Sequence, residues 1–315
     1  MLVRISGYGK GNGIHMSKLD KVILGINHQF IYPESISNGD AHTENLRKLA
    51  VNPYVDALDC WVWASHAKEE LAVLRNCGKQ INYNIGDRIG EVPVFPATAD
   101  AKERLYALEI LKRETDFAIE SGAKKIIFGS GRDVAPQERQ EAYKRFEEFV
   151  LEWSEIIPKN VWLTLEPTDR DVDKFFLYGD LEDTCKTVRN IRRNGFEKMG
   201  ILLDMGHIPI MHENLESASA KCGDLLEHIH LGNCIIKNIA SPLYGDKHPC
   251  WGAVDGEYDE KDGERFLQCL KEVGYLTRGK AQTISFEMRP LRGMSSEATI
   301  KYLVEWFHKV YDFSQ

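Results

Sequence analysis

The sequence has no C-x-x-C pair, and no apolar run approaches the roughly 18 residues that a membrane-spanning helix needs. Its seven cysteines are dispersed along 315 residues, which is typical of reduced intracellular cysteine rather than of a disulfide framework. The first residues also lack the unbroken apolar segment of a secretory signal. These absences predict a cytoplasmic protein that does not enter a membrane.

An excess of positive charge is absent as well. The 40 lysines and arginines are outnumbered by 48 acidic residues, which gives a formal net charge of −8. Proteins that bind the phosphates of nucleic acids usually present a basic face. We therefore predict no nucleic-acid partner.

Short β-branched and aromatic runs alternate with longer amphipathic segments from about residue 21 to the end of the chain. The short runs have the length and composition of buried strands, and the longer ones have helical periodicity. The eight predicted strands are 21–28, 55–63, 80–86, 124–129, 161–167, 200–207, 226–233 and 283–290. The eight predicted helices are 42–51, 66–76, 99–121, 137–157, 181–193, 213–222, 260–273 and 296–310.

Eight right-handed β-α-β crossovers in succession form either a closed barrel or a large doubly wound sheet. No G-x-G-x-x-G follows the first strand, so the sequence lacks the signature of the dinucleotide-binding sheet. We predict an α/β fold, a single (β/α)₈ TIM barrel spanning residues 1–315. Within it, residues 1–20 form an N-terminal extension and residues 234–258 form a long active-site loop, because a connection of that length is usually functional.

Four consecutive strands of this barrel end in an ionisable side chain. The four residues are Glu166, Asp204, His230 and Glu287. Catalytic residues of a TIM barrel lie at the carboxyl ends of its strands, and a carboxylate there is costly to bury unless it is paired or bound to a metal. Two glutamates, an aspartate and a histidine suit a divalent metal at an open site. Mn²⁺ is the expected ion, and Mg²⁺, Co²⁺ or Zn²⁺ are the alternatives.

The segments LEP, LDMGH, HIHLGN and SFE, in this order and spacing within residues 160–290, resemble the xylose-isomerase-like TIM-barrel superfamily. The resemblance covers the chain from residue 21, and the superfamily includes sugar isomerases, ketose 3-epimerases and the endonuclease IV type of nuclease. It implies that Glu166, Asp204, His230 and Glu287 are the metal ligands and that His207 touches substrate or metal. Glu166 and Glu287, as acid and base, form the predicted catalytic set together with His207.

This resemblance makes a metal-dependent isomerase or epimerase of a small carbohydrate the leading hypothesis. Superfamily lyases that cleave 3-keto C-glycosides would use the same chemistry with a small partner subunit, and a homo-oligomer is the other assembly considered. A zinc hydrolase of the endonuclease IV class needs histidines after the second and fourth strands. His66 could be the first, but the fourth strand ends in Phe128 and Gly129.

Further polar and aromatic residues fall at the predicted mouth of the barrel. The candidates for substrate binding are His28, Trp63, His66, His207, Asp246, His248, Trp251 and Arg289. For Asp246 and His248 three roles stay open: binding substrate hydroxyls, holding a second metal, or fixing the long loop. Arg170 or Lys174 could meet an anionic substrate group, although a charge-rich loop after a strand is usually solvated.

Overall fold

The computed structural model describes residues 22–86, 95–279 and 281–313, so the predicted N-terminal extension 1–20 lies outside the described residues. Within those ranges the chain forms eight parallel strands that close into one barrel in sequence order, with β1 pairing both β2 and β8. The predicted single TIM barrel is therefore confirmed. No helix in the described ranges is both long enough and apolar enough to cross a membrane.

The strands are shorter than predicted at their carboxyl ends. They are β1 Val22–Asn27, β2 Ala57–Cys60, β3 Gln80–Asn84, β4 Lys125–Phe128, β5 Trp162–Leu165, β6 Met199–Asp204, β7 Leu226–Leu231 and β8 Gln282–Phe286. Their outward side chains are the apolar ones, such as Ile126 and Phe128 of β4, and they are buried under the helices. Glu166 and Glu287 directly follow β5 and β8 and line the mouth of the barrel, whereas Asp204 is the last residue of β6.

One main helix follows each strand. The helices are α1 Gly39–Ala50, α2 Ala67–Asn76, α3 Ala101–Ser121, α4 Arg139–Ser154, α5 Leu181–Arg193, α6 Leu215–Cys222, α7 Glu260–Glu272 and α8 Ser296–Phe313. The side chain of Asp100 caps α3 by accepting from the amides of Lys102 and Glu103. Single helical turns, His28–Ile31 and His207–Ile210, begin directly after β1 and at the mouth after β6.

The barrel interior is polar, whereas most TIM barrels fill it with branched aliphatic side chains. Asp59 of β2 accepts a hydrogen bond from His228 of β7 at 2.7 Å, and Gln80 of β3 donates to Thr283 of β8 at 2.8 Å. Since these strands are not neighbours, the bonds cross the interior. These polar groups thus satisfy each other inside the barrel, as burial requires.

The long loop 234–258 is bonded to itself and packed against the helical layer at Trp251. Its backbone pairs with itself where Gly245 donates to the carbonyl of Ile235 at 2.8 Å. Trp251 is 1% exposed, and its ring lies 4.4 Å from that of Trp306 in α8. Gly263 of α7 leaves room for this ring, because a Cβ there would lie 2.7 Å from the Trp251 side chain. The loop is therefore anchored in the helical layer through Trp251.

This packing predicts that Trp251→Ala lowers the free energy of unfolding by about 3–5 kcal/mol, as for other buried tryptophans. Chemical denaturation would measure it. Ile239→Ala in the same loop, where the side chain is 80% exposed, should change stability by less than about 0.5 kcal/mol. Unchanged stability of the Trp251 variant would contradict the anchoring role.

Candidate metal centre and active site

The four strand-end residues meet at the mouth of the barrel. Glu166, Asp204, His230 and Glu287 each offer one ligand atom, and these atoms all lie within 4.8 Å of one another. Nδ1 of His230 lies 3.5 Å from Asp204 Oδ2 and 3.6 Å from Glu166 Oε1, and it also contacts Glu287 Oε2. The expected register of four adjacent strands thus places one nitrogen and three carboxylates around a common point.

Several of these atoms are buried without a hydrogen-bond partner. They are Asp204 Oδ2, Glu287 Oε2 and His230 Nδ1. The other carboxylate oxygens are occupied: Asn27 Nδ2 donates to Glu287 Oε1 at 2.6 Å, and the amide of Gly206 donates to Asp204 Oδ1. Buried polar atoms are rarely left unpaired, so three that converge on one point fit a bound cation.

The electrostatics of the group also fit a cation. Burial raises the pKa of Glu287 well above its usual range, and the charges of Glu166 and Asp204 add to this effect. Burial acts in the same direction on Asp204, but His207 and His230 outweigh it and lower the pKa of Asp204 overall. A divalent cation would supply the positive charge that keeps all three carboxylates ionised.

Asp59 lies beneath this group and orients His230. Its Oδ2 accepts hydrogen bonds from Nε2 of His228 at 2.7 Å and from Nε2 of His230 at 2.8 Å, and its Oδ1 accepts from Asn82 at 2.6 Å. The bond to His230 keeps the proton on Nε2, so Nδ1 is the nitrogen available to a metal. Ligating histidines commonly have such a carboxylate partner on the other nitrogen.

A second group of side chains adjoins the first. Asp246 Oδ1 accepts from His207 Nε2 at 3.0 Å and from His248 Nε2 at 2.6 Å, and Lys174 lies 3.3 Å from Oδ2. His207 Nδ1 donates to the carbonyl of Pro167 at 3.0 Å. Burial alone would lower the pKa of His207, but the charge of Asp246 and then of Asp204 raises it well above its usual value. A cationic His207 thus faces the cavity.

A cavity of about 260 Å³ opens over both groups. Pockets for drug-sized ligands span roughly 300–1,000 Å³, so this one suits a smaller molecule. Glu166, Glu287, His207, Asp246, His248 and Arg289 line it. All six of these residues were predicted from the sequence, and the fold brings them together at one site.

Other lining residues were missed by the sequence analysis. Gln29 is 1% exposed, and neither its Oε1 nor its Nε2 has a hydrogen-bond partner. The buried hydroxyl of Thr168 also has none, and Phe30, Trp61 and Phe176 supply apolar surface. Unpaired amide and hydroxyl groups beside aromatic rings suit a polyol. Their positions outside the strands carry no periodic signal, although Gln29 and Thr168 directly follow the predicted strands 21–28 and 161–167.

Four predicted substrate-binding residues are not among the described residues that line this cavity. Trp63 packs on His42 with ring centroids 6.0 Å apart, His66 pairs with Asp40 at 3.0 Å, and Trp251 lies in the helical layer. His28 is fully buried with its ring 4.4 Å from that of His42, and burial lowers its pKa well below the usual value. A neutral buried histidine of this kind contributes to packing.

The hydrogen bond from His230 to Asp59 predicts that Asp59→Asn weakens metal binding. Loss of such a carboxylate partner typically costs about 10–100-fold in metal affinity, because the ligating nitrogen is less basic and less well oriented. Titration of the metal-free protein with Mn²⁺ would measure the change. Asp56→Asn, an exposed substitution three residues earlier, is the matched control. Equal Mn²⁺ affinity in both variants would exclude a role of Asp59 in orienting His230.

Solved structures with a similar fold include several sugar-processing proteins. D-psicose 3-epimerase from Clostridium cellulolyticum H10 is 16% identical, with 92% of this chain and 97% of that chain covered and a TM-score of 0.61. The 3-keto-D-glucoside 4-epimerase from E. coli is 17% identical, with 91% and 100% covered and a TM-score of 0.62. The IolI protein, solved with a zinc atom, is 18% identical, with 93% and 99% covered and a TM-score of 0.68. At these identities the likeness establishes the fold alone.

Comparison with curated protein sequences finds no significant match. The family model described as xylose isomerase-like TIM barrel, however, matches residues 54–310, which is most of the chain. That range contains β2 to β8 and the four converging strand-end residues. The chain therefore belongs to the xylose isomerase-like TIM-barrel family.

Proposed function

We propose that this protein is a divalent-metal-dependent isomerase or epimerase of a small carbohydrate. The observation that carries the proposal is the convergence of Glu166, Asp204, His230 and Glu287 beneath a polar cavity, with three buried ligand atoms unpaired. The similar epimerase structures support the same class of reaction. We expect Mn²⁺ to be the most effective ion at this oxygen-rich site.

A metal held by these four residues would polarise a carbonyl and the neighbouring hydroxyl, which makes the adjoining C–H more acidic. Glu166 and Glu287 are the two glutamates of the group, and both line the cavity. Asn27 fixes one oxygen of Glu287 and leaves the other directed at the site. We therefore assign proton removal and return to this pair of carboxylates.

His207 is the third proposed catalytic residue. Its two nitrogens are held by the carbonyl of Pro167 and by Asp246, so the ring cannot rotate and its positive charge is fixed at the cavity wall. A fixed cation at this place stabilises negative charge that develops on a substrate oxygen. Asp246 and His248 accordingly serve to position His207 and to tie down the long loop.

Glu287→Gln should abolish turnover while the protein stays folded. The substitution removes one ligand charge and one proton acceptor, and loss of an acid/base group alone costs about 10²–10⁴-fold in rate. The measurement is deuterium incorporation from D₂O into a panel of ketoses and aldoses, followed by NMR. Glu264→Gln on the exposed face of α7 is the control. Wild-type exchange rates in the Glu287 variant would refute the assignment.

A zinc hydrolase is the second candidate, because His207, Asp246 and His248 also place ligand atoms within 4.8 Å of one another. Against it, His66 is not among the described residues lining the cavity, and Gly129 lines it where that class needs a histidine. Elemental analysis distinguishes the two. We expect about one equivalent of metal per chain after chelation and reconstitution, and two or three equivalents of zinc would favour the hydrolase.

A further inference from the structure

Arg289 is held firmly at the wall of the cavity. It follows Glu287 by two residues, so the two Cα atoms lie within about 7 Å of each other. Its backbone amide donates to the carbonyl of His248 at 2.8 Å, and its Nε donates to the carbonyl of Lys247 at 2.7 Å. The side chain is half-buried and lines the cavity. These contacts leave the two η nitrogens of the guanidinium for another partner.

The charge of Arg289 is not neutralised by any described acidic residue, since none lies within ion-pair distance of its guanidinium. The two lysines on the wall differ in this respect. Lys174 lies 3.3 Å from Asp246, and Lys247 lies 2.8 Å from Asp173. A half-buried charge without a counterion is costly to maintain, which indicates that a ligand supplies the counterion.

The surroundings of Arg289 are built to hold a planar group. The guanidinium carbon lies 5.9 Å from the centre of the Phe30 ring, and that ring packs on His248 with centroids 4.3 Å apart. The neighbouring Gln29 is buried in the same cavity with both amide atoms unpaired. A fixed guanidinium and an unpaired amide that line one cavity both supply donors for an anionic group.

We propose that Arg289 binds a carboxylate on the substrate, so that the enzyme acts on an acidic sugar rather than a neutral one. This inference rests on the proposed isomerase or epimerase function. It assigns Arg289 as the binding partner of one end of the substrate, and the proposed function places the carbonyl at the other end, near the metal. The planar guanidinium fork matches a carboxylate with two parallel hydrogen bonds. A phosphate is less suited, because the amides of the consecutive lining residues Asp246 and Lys247 already donate to the Asp173 carboxylate and to the carbonyl of Gly245.

The test is equilibrium binding to the metal-loaded protein of D-fructose, D-fructuronate and D-fructose 6-phosphate, which differ only in their terminal group. We expect D-fructuronate to bind more tightly than the other two sugars. Arg289→Gln should weaken D-fructuronate binding about 10- to 100-fold, as for loss of a charged hydrogen bond. Arg289→Lys should recover only part of it, since lysine lacks the planar fork. Metal content should stay unchanged in both variants.

Arg292→Gln is the matched control, because Arg292 is exposed and lies three residues further along the chain. Absence of a binding advantage for D-fructuronate over D-fructose would overturn the inference, as would tightest binding of the phosphate ester. So would equal weakening by the Arg292 variant. Arg289-dependent binding without any deuterium exchange would uphold the carboxylate site and count against the isomerase. Deuterium exchange without an Arg289-dependent preference would uphold the isomerase and count against the carboxylate site.

Discussion

The mutual repulsion of three buried carboxylates is the constraint on which this active site depends. Glu166, Asp204 and Glu287 lie within 4.8 Å of each other and of a single histidine nitrogen. Removing charges of one sign from water is unfavourable unless an opposite charge joins them. The barrel fold imposes this crowding, because parallel neighbouring strands end at one level. A cation bound at this point would resolve the repulsion, and it would also be the group that the proposed chemistry needs.

The polar barrel interior follows from that constraint. A histidine ligand needs a fixed orientation, and Asp59 provides it from below while Asn82 and His228 satisfy the remaining capacity of Asp59. Each of these groups is fully buried, so each requires a partner in turn. The same need for partners applies to Gln80 and Thr283, which form a hydrogen bond across the barrel. Branched aliphatic layers in this interior would leave Asp59 and His230 unpaired.

The fold and the convergence of Glu166, Asp204, His230 and Glu287 were predictable from the sequence because both depend on periodic strands and on their ends. The cavity wall was not, because its residues leave the strand ladder before they reach it. β2 ends at Cys60, so strand alternation no longer decides where Trp61 and Trp63 point. Trp61 lines the cavity, whereas Trp63 packs beside His42. Gln29 likewise lies in a helical turn that no periodic pattern indicated.

The positive side chains on the cavity wall differ in whether an acidic residue neutralises them, and this difference bears on substrate specificity. The loop after β5 and the long loop carry Lys174 and Lys247 together with the acids that neutralise them, so these lysines join the two loops. Arg289 is fixed by carbonyl groups, which hold its position without cancelling its charge. A cation held in this manner acts at a distance on any anion entering the cavity and favours one orientation of it. In the proposed reaction, Arg289 would orient the substrate, while the four metal-ligand candidates would select the reacting carbonyl.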